Sequence, residues 1–256
     1  MKNVPTIRLS NGQTLKTETQ KMLSKLLSTC LLGSALSASV ERNVQDGPVG
    51  PAGVPLYPGK CPIVHGDPNF NFSEYISKTW WAVATSPFFW YGNGTVCSTA
   101  TYQESVEYPG NIVVFNTGYY QLDAEEGDYA NYVNYTSKGM AAPIKDTTGE
   151  LNVVFPYPTL PSDEPPSNYV VMATDSETYS FVWSCDVTRA SDYLYRPLLW
   201  VLNRDQNLSQ AAKQQQIDYA LDLLKYKYQW EYVDQFAETM FEVPYNMDCP
   251  VPEHHQ

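Results

Sequence analysis

Basic residues are scarce in this chain. Its 256 residues include 16 Lys or Arg against 28 Asp or Glu, a net charge of −12. A nucleic-acid binder needs a basic stripe, and none is visible. Adhesion to anionic membranes by charge is excluded on the same ground, and the acidity reads as solubility alone. Histidine is scarcer still, at His65, His254 and His255. None of the three falls in an expected strand. A His-bound metal, a His-ligated haem and a Ser-His-Asp triad inside the fold therefore have no candidate. No Cys-x-x-Cys pair occurs, which leaves a zinc or thioredoxin-type site unsupported. No cofactor and no metal are expected.

The five cysteines are Cys30, Cys61, Cys97, Cys185 and Cys249. Cys30 lies in an apolar N-terminal stretch. Residues 22–25 give a basic start, residues 26–36 an apolar core, and Ser37-Ala38-Ser39 a small-residue exit. This pattern reads as a secretory signal peptide. The core is too short to span a bilayer comfortably. The 21 residues ahead of it fit either a start at Met22 or a long n-region, and a buried N-terminal helix is the alternative. Residues 1–38 are thus expected to be extension and signal peptide, residues 39–58 an extended leader and residues 59–256 the folded domain. Removing the signal peptide leaves four cysteines, an even number suited to two disulfides in an oxidising compartment. The protein is expected to be secreted.

What the chain has in quantity is aromatic side chains and proline, with 20 Tyr, 9 Phe, 6 Trp and 19 Pro. That composition favours short strands with many turns. Turn signals recur regularly after Cys61, and between them eight strands are expected at residues 80–85, 97–104, 111–120, 128–137, 150–155, 169–174, 180–187 and 197–204. Eight antiparallel strands suffice to close an up-and-down barrel around one small ligand. The fold class is therefore all-β. Residues 208–228 switch to a helical period, with Ile217, Ala220, Leu221, Leu224 and Tyr228 on one face and Ser209 as N-cap. This helix is expected outside the barrel. Residues 231–243 are expected to add an edge strand that Cys249 ties back.

At this point the residues match a family. Gly59-Lys60-Cys61-Pro62, with Tyr75-Ile76-Ser77-Lys78-Thr79-Trp80-Trp81, resembles the first lipocalin motif, although Lys78 stands where the motif has Gly. Gly92 to Tyr102 is similar to the second strand of that family. Ala173-Thr174-Asp175 resembles its Thr-Asp-Tyr motif, with Ser176 in place of Tyr. Trp200-Val201-Leu202-Asn203-Arg204, followed by Asn207-Leu208-Ser209, resembles the third. The match runs roughly from Gly59 to Cys249 and is nearest to the apolipoprotein D-like group.

The resemblance implies a structural contact of Trp80 with Arg204 at the closed end and a motif turn at Thr174 and Asp175. It also implies the disulfides Cys61–Cys185 and Cys97–Cys249. For function it implies a small hydrophobic ligand, such as a lipid, sterol, retinoid, fatty acid or bilin-like pigment, carried in the barrel without catalysis. Strand parity and the resemblance together select Tyr102, Asn116, Phe155, Tyr169 and Trp200 as lining, with Tyr169 placed near the mouth. A mostly apolar cavity with a few polar groups suits such a ligand. The alternatives are an isomerase-type enzyme on the same scaffold, and a protein-interaction or inhibitor lipocalin with a filled barrel. A cell-surface receptor is a candidate partner, nucleic acid and a membrane span are not, and nothing sets the oligomeric state. Four Asn-x-Ser/Thr sequons, at Asn71, Asn93, Asn134 and Asn207, are candidate glycosylation sites. Asp123, Glu125, Glu126 and Asp128 lack EF-hand spacing and read as a solvated acidic turn.

Overall fold

A computed structural model describes residues 55–76, 78–87, 95–121, 132–187, 193–245 and 249–251. Eight β-branched and aromatic runs form the strands β2 (Trp80–Thr85), β3 (Thr95–Glu104), β4 (Ile112–Gln121), β5 (Tyr132–Pro143), β6 (Glu150–Val154), β7 (Tyr169–Thr174), β8 (Tyr179–Val187) and β9 (Leu194–Asn203). Each pairs antiparallel with the next. Strand β9 pairs back onto β2, through Trp81 with Asn203, Ala82 with Leu202 and Thr85 with Trp200, which closes the barrel. Closure leaves no long unpaired edge, the hazard of an open sheet. Two short strands flank the seam. Strand β1 (Tyr57–Pro58), at the end of the expected leader, pairs with β9, and β10 (Phe241–Glu242) pairs with β2.

Strand β9 begins three residues before the expected Pro197. In an antiparallel strand alternate residues direct their backbone groups to the same side. Leu199 exchanges bonds with Ser86 on the β2 side, its carbonyl accepting from the Ser86 N–H and its own N–H donating to Ser86 Oγ, each at 3.0 Å. Pro197 therefore points its missing N–H past the end of β2, where no ladder bond is lost. Strand β5 also runs beyond its expected end at Ser137, in unbroken register with β4 as far as Ala141 opposite Ile112.

Apolar side chains divide between two cores. The inner one fills the closed end of the barrel with Trp80, Ile112, Val114, Leu151, Val171 and Val182, and the short helix α1 (Phe72–Ile76) plugs it with Tyr75 and Ile76. The outer one lies between the backs of β2, β7, β8 and β9 and the helix α2 (Gln210–Asp222). Register shifts between Ala82 and Ala84 in β2, and between Val171 and Ala173 in β7, are bulges. They let the consecutive residues Val83-Ala84 and Met172-Ala173 both join the outer core. Ser209 caps α2 by accepting from the Ala212 N–H at 3.3 Å. Ile217, Ala220 and Leu224 are buried, with Leu221 and Tyr228 half-buried, and the helix ends in a wider π-type turn over Leu223–Lys227.

The tail corrects one expectation. In place of an edge strand over 231–243 it forms the helix α3 (Val233–Ala237), which buries Val233 and Phe236, and only then the two-residue β10. Trp230 and Phe236 meet Trp183 edge-on, at 5.3 and 6.2 Å between ring centres. A strand would have aimed alternate side chains away from this cluster. Two disulfides tie the ends down. Cys61–Cys185 spans 124 residues and fixes the segment after β1 to β8, and Cys97–Cys249 spans 152 and fixes the tail to β3.

Candidate functional site

The closed end is organised by one carbonyl. Tyr75 O, in the last turn of α1, accepts from Trp80 Nε1 at 2.9 Å and from Arg204 Nη2 at 2.9 Å. Arg204 Nη2 also donates to Glu74 O at 2.7 Å. Its guanidinium lies 4.1 Å from the centre of the Trp80 ring, a cation–π contact. The turn between β7 and β8 closes the same end with side chains. Thr174 Oγ1 donates to Tyr179 O at 2.6 Å and accepts from the Ser176 N–H at 2.8 Å. Asp175 Oδ1 accepts from the N–H groups of Glu177, Thr178 and Tyr179, at 3.0, 2.7 and 3.1 Å. Partial burial works to raise the Asp175 carboxyl. The donors from Thr178, Tyr179 and Glu177 outweigh it and hold the group below its ordinary value.

Above this floor the barrel encloses a cavity of about 510 Å³. Tyr102, Asn116, Phe155, Tyr169 and Trp200 all stand on its wall, beside Ala82, Val114, Val153, Leu198 and Leu202. Strands β3, β4, β7 and β9 carry Tyr102, Asn116, Tyr169 and Trp200, and Phe155 directly follows β6, so the fold brings the five expected residues together. Tyr169 and Trp200 stack at 6.4 Å between ring centres. Asn116 lies in a cross-strand row between Ala100 on β3 and Ser137 on β5, so an amide and a hydroxyl face the cavity side by side. Phe155 stands at the upper rim, 42 % exposed.

Tyr169 differs from its expected place. It does begin β7 on the open side, but its hydroxyl meets Tyr102 Oη at 2.7 Å and Tyr75 Oη at 3.4 Å. The side chain runs down and makes the floor. Burial holds the Tyr169 phenol well above the ordinary tyrosine range, and it raises Tyr75 as well.

Sequence reasoning missed several residues of the wall and of what supports it. Tyr75 belongs to a five-residue helix with no period to read. Ser137 and Tyr135 share parity with Gly139, which lies past the expected strand end at Ser137. Asp186 lines the cavity near the top of β8, held by Arg196 Nη2 at 2.8 Å. Asn152 lies in the expected strand 150–155 and Asn168 in the loop before the next strand, and both act as seals. Strands β6 and β7 pair over only two residues each. Beyond them Asn168 accepts from the Val153 N–H at 2.7 Å and donates to Val153 O at 2.9 Å, standing in for a strand. Asn152 Nδ2 holds the intervening loop through Ser162 O and Glu164 O, each at 3.1 Å.

Gly139 is a shape determinant of the wall. A methyl group there would stand 2.6 Å from the Phe155 ring and from Val154 O. Gly139→Ala is expected to cost about 1–3 kcal/mol, as overpacking does. Phe155→Ala in the same chain should recover part of that loss, because it removes one of the two clashes. Urea unfolding of the two single variants and the double variant measures the coupling, and an unchanged midpoint for Gly139→Ala would contradict it.

Three of the four sequons lie on exposed Asn. Asn71 Oδ1 accepts from the Glu74 N–H at 3.4 Å and caps α1, leaving Nδ2 as the atom a glycan would use. Asn134 is exposed on β5, and Asn207 is exposed just before the N-cap of α2. Asn93, the acidic turn of Asp123 to Asp128, the signal-peptide stretch, His254 and His255 lie outside the described residues. His65 is exposed, with Nδ1 at 3.4 Å from Glu150 Oε1. No group of three or more metal-ligating side chains occurs among the described residues.

Comparison with known proteins agrees with this geometry. Residues 73–228 match the family model described as a lipocalin-like domain. The Lazarillo protein of Schistocerca americana is 30 % identical over 162 residues, covering 62 % of this chain and 68 % of that protein. Apolipoprotein D of Rattus norvegicus is 31 % identical over 153 residues, covering 59 % of this chain and 69 % of that protein. Among solved structures, insecticyanin from the tobacco hornworm Manduca sexta is 19 % identical with a TM-score of 0.53, covering 77 % of this chain and 93 % of that one. Lobster apocrustacyanin A1 is 15 % identical with a TM-score of 0.51, covering 76 % and 93 %. These two similarities bear on the fold alone.

Proposed function

Because this chain belongs to the lipocalin family, in its apolipoprotein D-like group, we propose that it binds and carries a small hydrophobic molecule outside the cell, without chemistry. The observation that carries the reading is the cavity of about 510 Å³, closed at one end and walled by aliphatic and aromatic side chains with a few polar groups. That size is within the roughly 300–1,000 Å³ of small-molecule sites. Tyr102, Asn116, Phe155, Tyr169 and Trp200 are the residues assigned to ligand contact. The aromatics offer apolar area at low entropic cost, and Asn116 offers an amide to orient one polar group. The described side chains of the wall include no thiol and no imidazole. The disulfides support an oxidising compartment. No helix of the described residues is long and apolar enough to cross a membrane. Glycans on Asn71, Asn93, Asn134 and Asn207 belong to the same reading.

Trp200 makes the test direct, since its indole lies on the cavity wall. Titration with retinoids, fatty acids, sterols and bilins should quench or shift tryptophan emission for at least one class. Trp200→Phe should reduce the amplitude. Silence with every class would count strongly against the reading.

A further inference from the structure

The cavity floor is a cluster of hydroxyls with no cation. Tyr102 and Tyr169 share a hydrogen bond of 2.7 Å, Tyr75 lies 3.4 Å from Tyr169, and Ser180 donates to Tyr75 at 3.2 Å. Tyr102, Tyr169 and Val153 also line a second, small cavity of about 10 Å³, shared with Phe70, Phe72 and Tyr75. The tyrosine pair is therefore the partition between the ligand space and the aromatic plug of the closed end. Burial keeps Tyr169 and Tyr75 protonated across the physiological range. Each hydroxyl carries one proton and two lone pairs and turns to suit its partner. A phenol that turns its O–H from a neighbouring hydroxyl to an incoming oxygen can still accept from that neighbour, so the cluster can donate to a ligand.

What the wall lacks is equally specific. The described lining residues include no Lys, Arg or His, and the formally charged one is the acid Asp186, paired with Arg196 at 2.8 Å. Arg204, beneath the floor, directs its guanidinium to Glu74 O, Tyr75 O and the Trp80 ring. A carboxylate seated on the floor would be buried without a counter-charge, which is costly. Entering tail first, it would leave its head beside Asp186.

We infer that the cavity selects neutral ligands ending in one oxygen, a ketone, aldehyde or alcohol, seated on the Tyr102–Tyr169 pair, over carboxylates of the same skeleton. This inference rests on the cavity-binding reading above and adds the ligand class.

The test titrates the purified full chain with retinal, retinol and retinoic acid by tryptophan quenching, and with hexadecanol and hexadecanoate by competition. The neutral members should bind at least about tenfold tighter than the acids, the scale of one desolvated polar contact. The double variant Tyr102→Phe/Tyr169→Phe, which keeps both rings, should lose about tenfold for retinal and little for retinoic acid. The carbonyl stretch of bound retinal should lie at the lower frequency of a hydrogen-bonded carbonyl and return upward in that variant. Equal or tighter binding of the acids, or a double variant that binds retinal unchanged, would overturn the inference and leave the cavity reading standing. No binding by any of the five probes would overturn the inference, and the sterol and bilin titrations would then decide the cavity reading.

Discussion

Replacing Trp80 by Ala is expected to lower stability by about 3–5 kcal/mol, the usual cost of emptying a buried aromatic site. In a domain of this size that corresponds to a fall in Tm on the order of 10 °C. The side chain is fully buried and joins three elements. Its ring supports Arg204 from β9's end, its indole N–H donates to Tyr75 O, and its ring meets that of Tyr75 at 4.9 Å. Losing it leaves the half-buried Arg204 over a void and frees one side of the carbonyl that anchors α1. Because Tyr75 supports the cavity floor from below, its hydroxyl 3.4 Å from that of Tyr169, ligand affinity should fall together with stability. Arg204→Lys keeps the charge, loses the planar stacking group and should cost less, about 1–2 kcal/mol. Urea unfolding of both variants ranks them. A loss below about 1 kcal/mol for Trp80→Ala would mean the closed end is held by something else.

The second large effect is expected from the tail disulfide. Cys97→Ala/Cys249→Ala should cost about 2–5 kcal/mol, chiefly because the unfolded chain regains the freedom of a loop spanning 152 residues. Between α3 and Cys249 the tail also makes backbone and packing contacts. Strand β10 has two residues, the Val243 N–H donates to Val83 O at 3.0 Å, and the Cys97 N–H donates to Pro244 O at 2.8 Å. Tyr245 stacks on Trp81 at 6.3 Å. Without the cross-link these contacts should open together while the rest of the barrel stays closed. Amide exchange at Val243 and Cys97 should therefore accelerate well before that at the β8–β9 ladder. Uniform acceleration across the barrel would contradict a locally tethered tail.

The sequence made the barrel's strands legible where turn signals bracket them. Strands β2 and β7 fall on their expected residues because a turn or proline-rich segment brackets each. Alternation and the family resemblance together selected Tyr102, Asn116, Phe155, Tyr169 and Trp200 for the lumen, and all five stand on the cavity wall. Alternation fails where a bulge breaks the period, as at Val83-Ala84. It also fails where one position depends on a distant partner. The expected strand stops at Ser137, yet Gly139 sits within β5, bare so that Phe155 has room. Tyr75 reads as part of a motif lead-in, and only the closed barrel shows its hydroxyl under Tyr169. The helix α3 is one turn long, too short for a 3.6 period to emerge from an aromatic tail. Asn168 completes the wall between β6 and β7 through its amide, a role that follows from the short pairing there and not from its residue type.

The binding account meets its most direct test in native mass spectrometry of the protein purified from its own source. The account predicts a folded protein mass increased by one small molecule per chain, released on denaturation and identified as a neutral, predominantly hydrophobic compound small enough for a cavity of about 510 Å³. A folded protein that carries no such adduct, and that takes up none of the candidate ligand classes at one per chain, would contradict it.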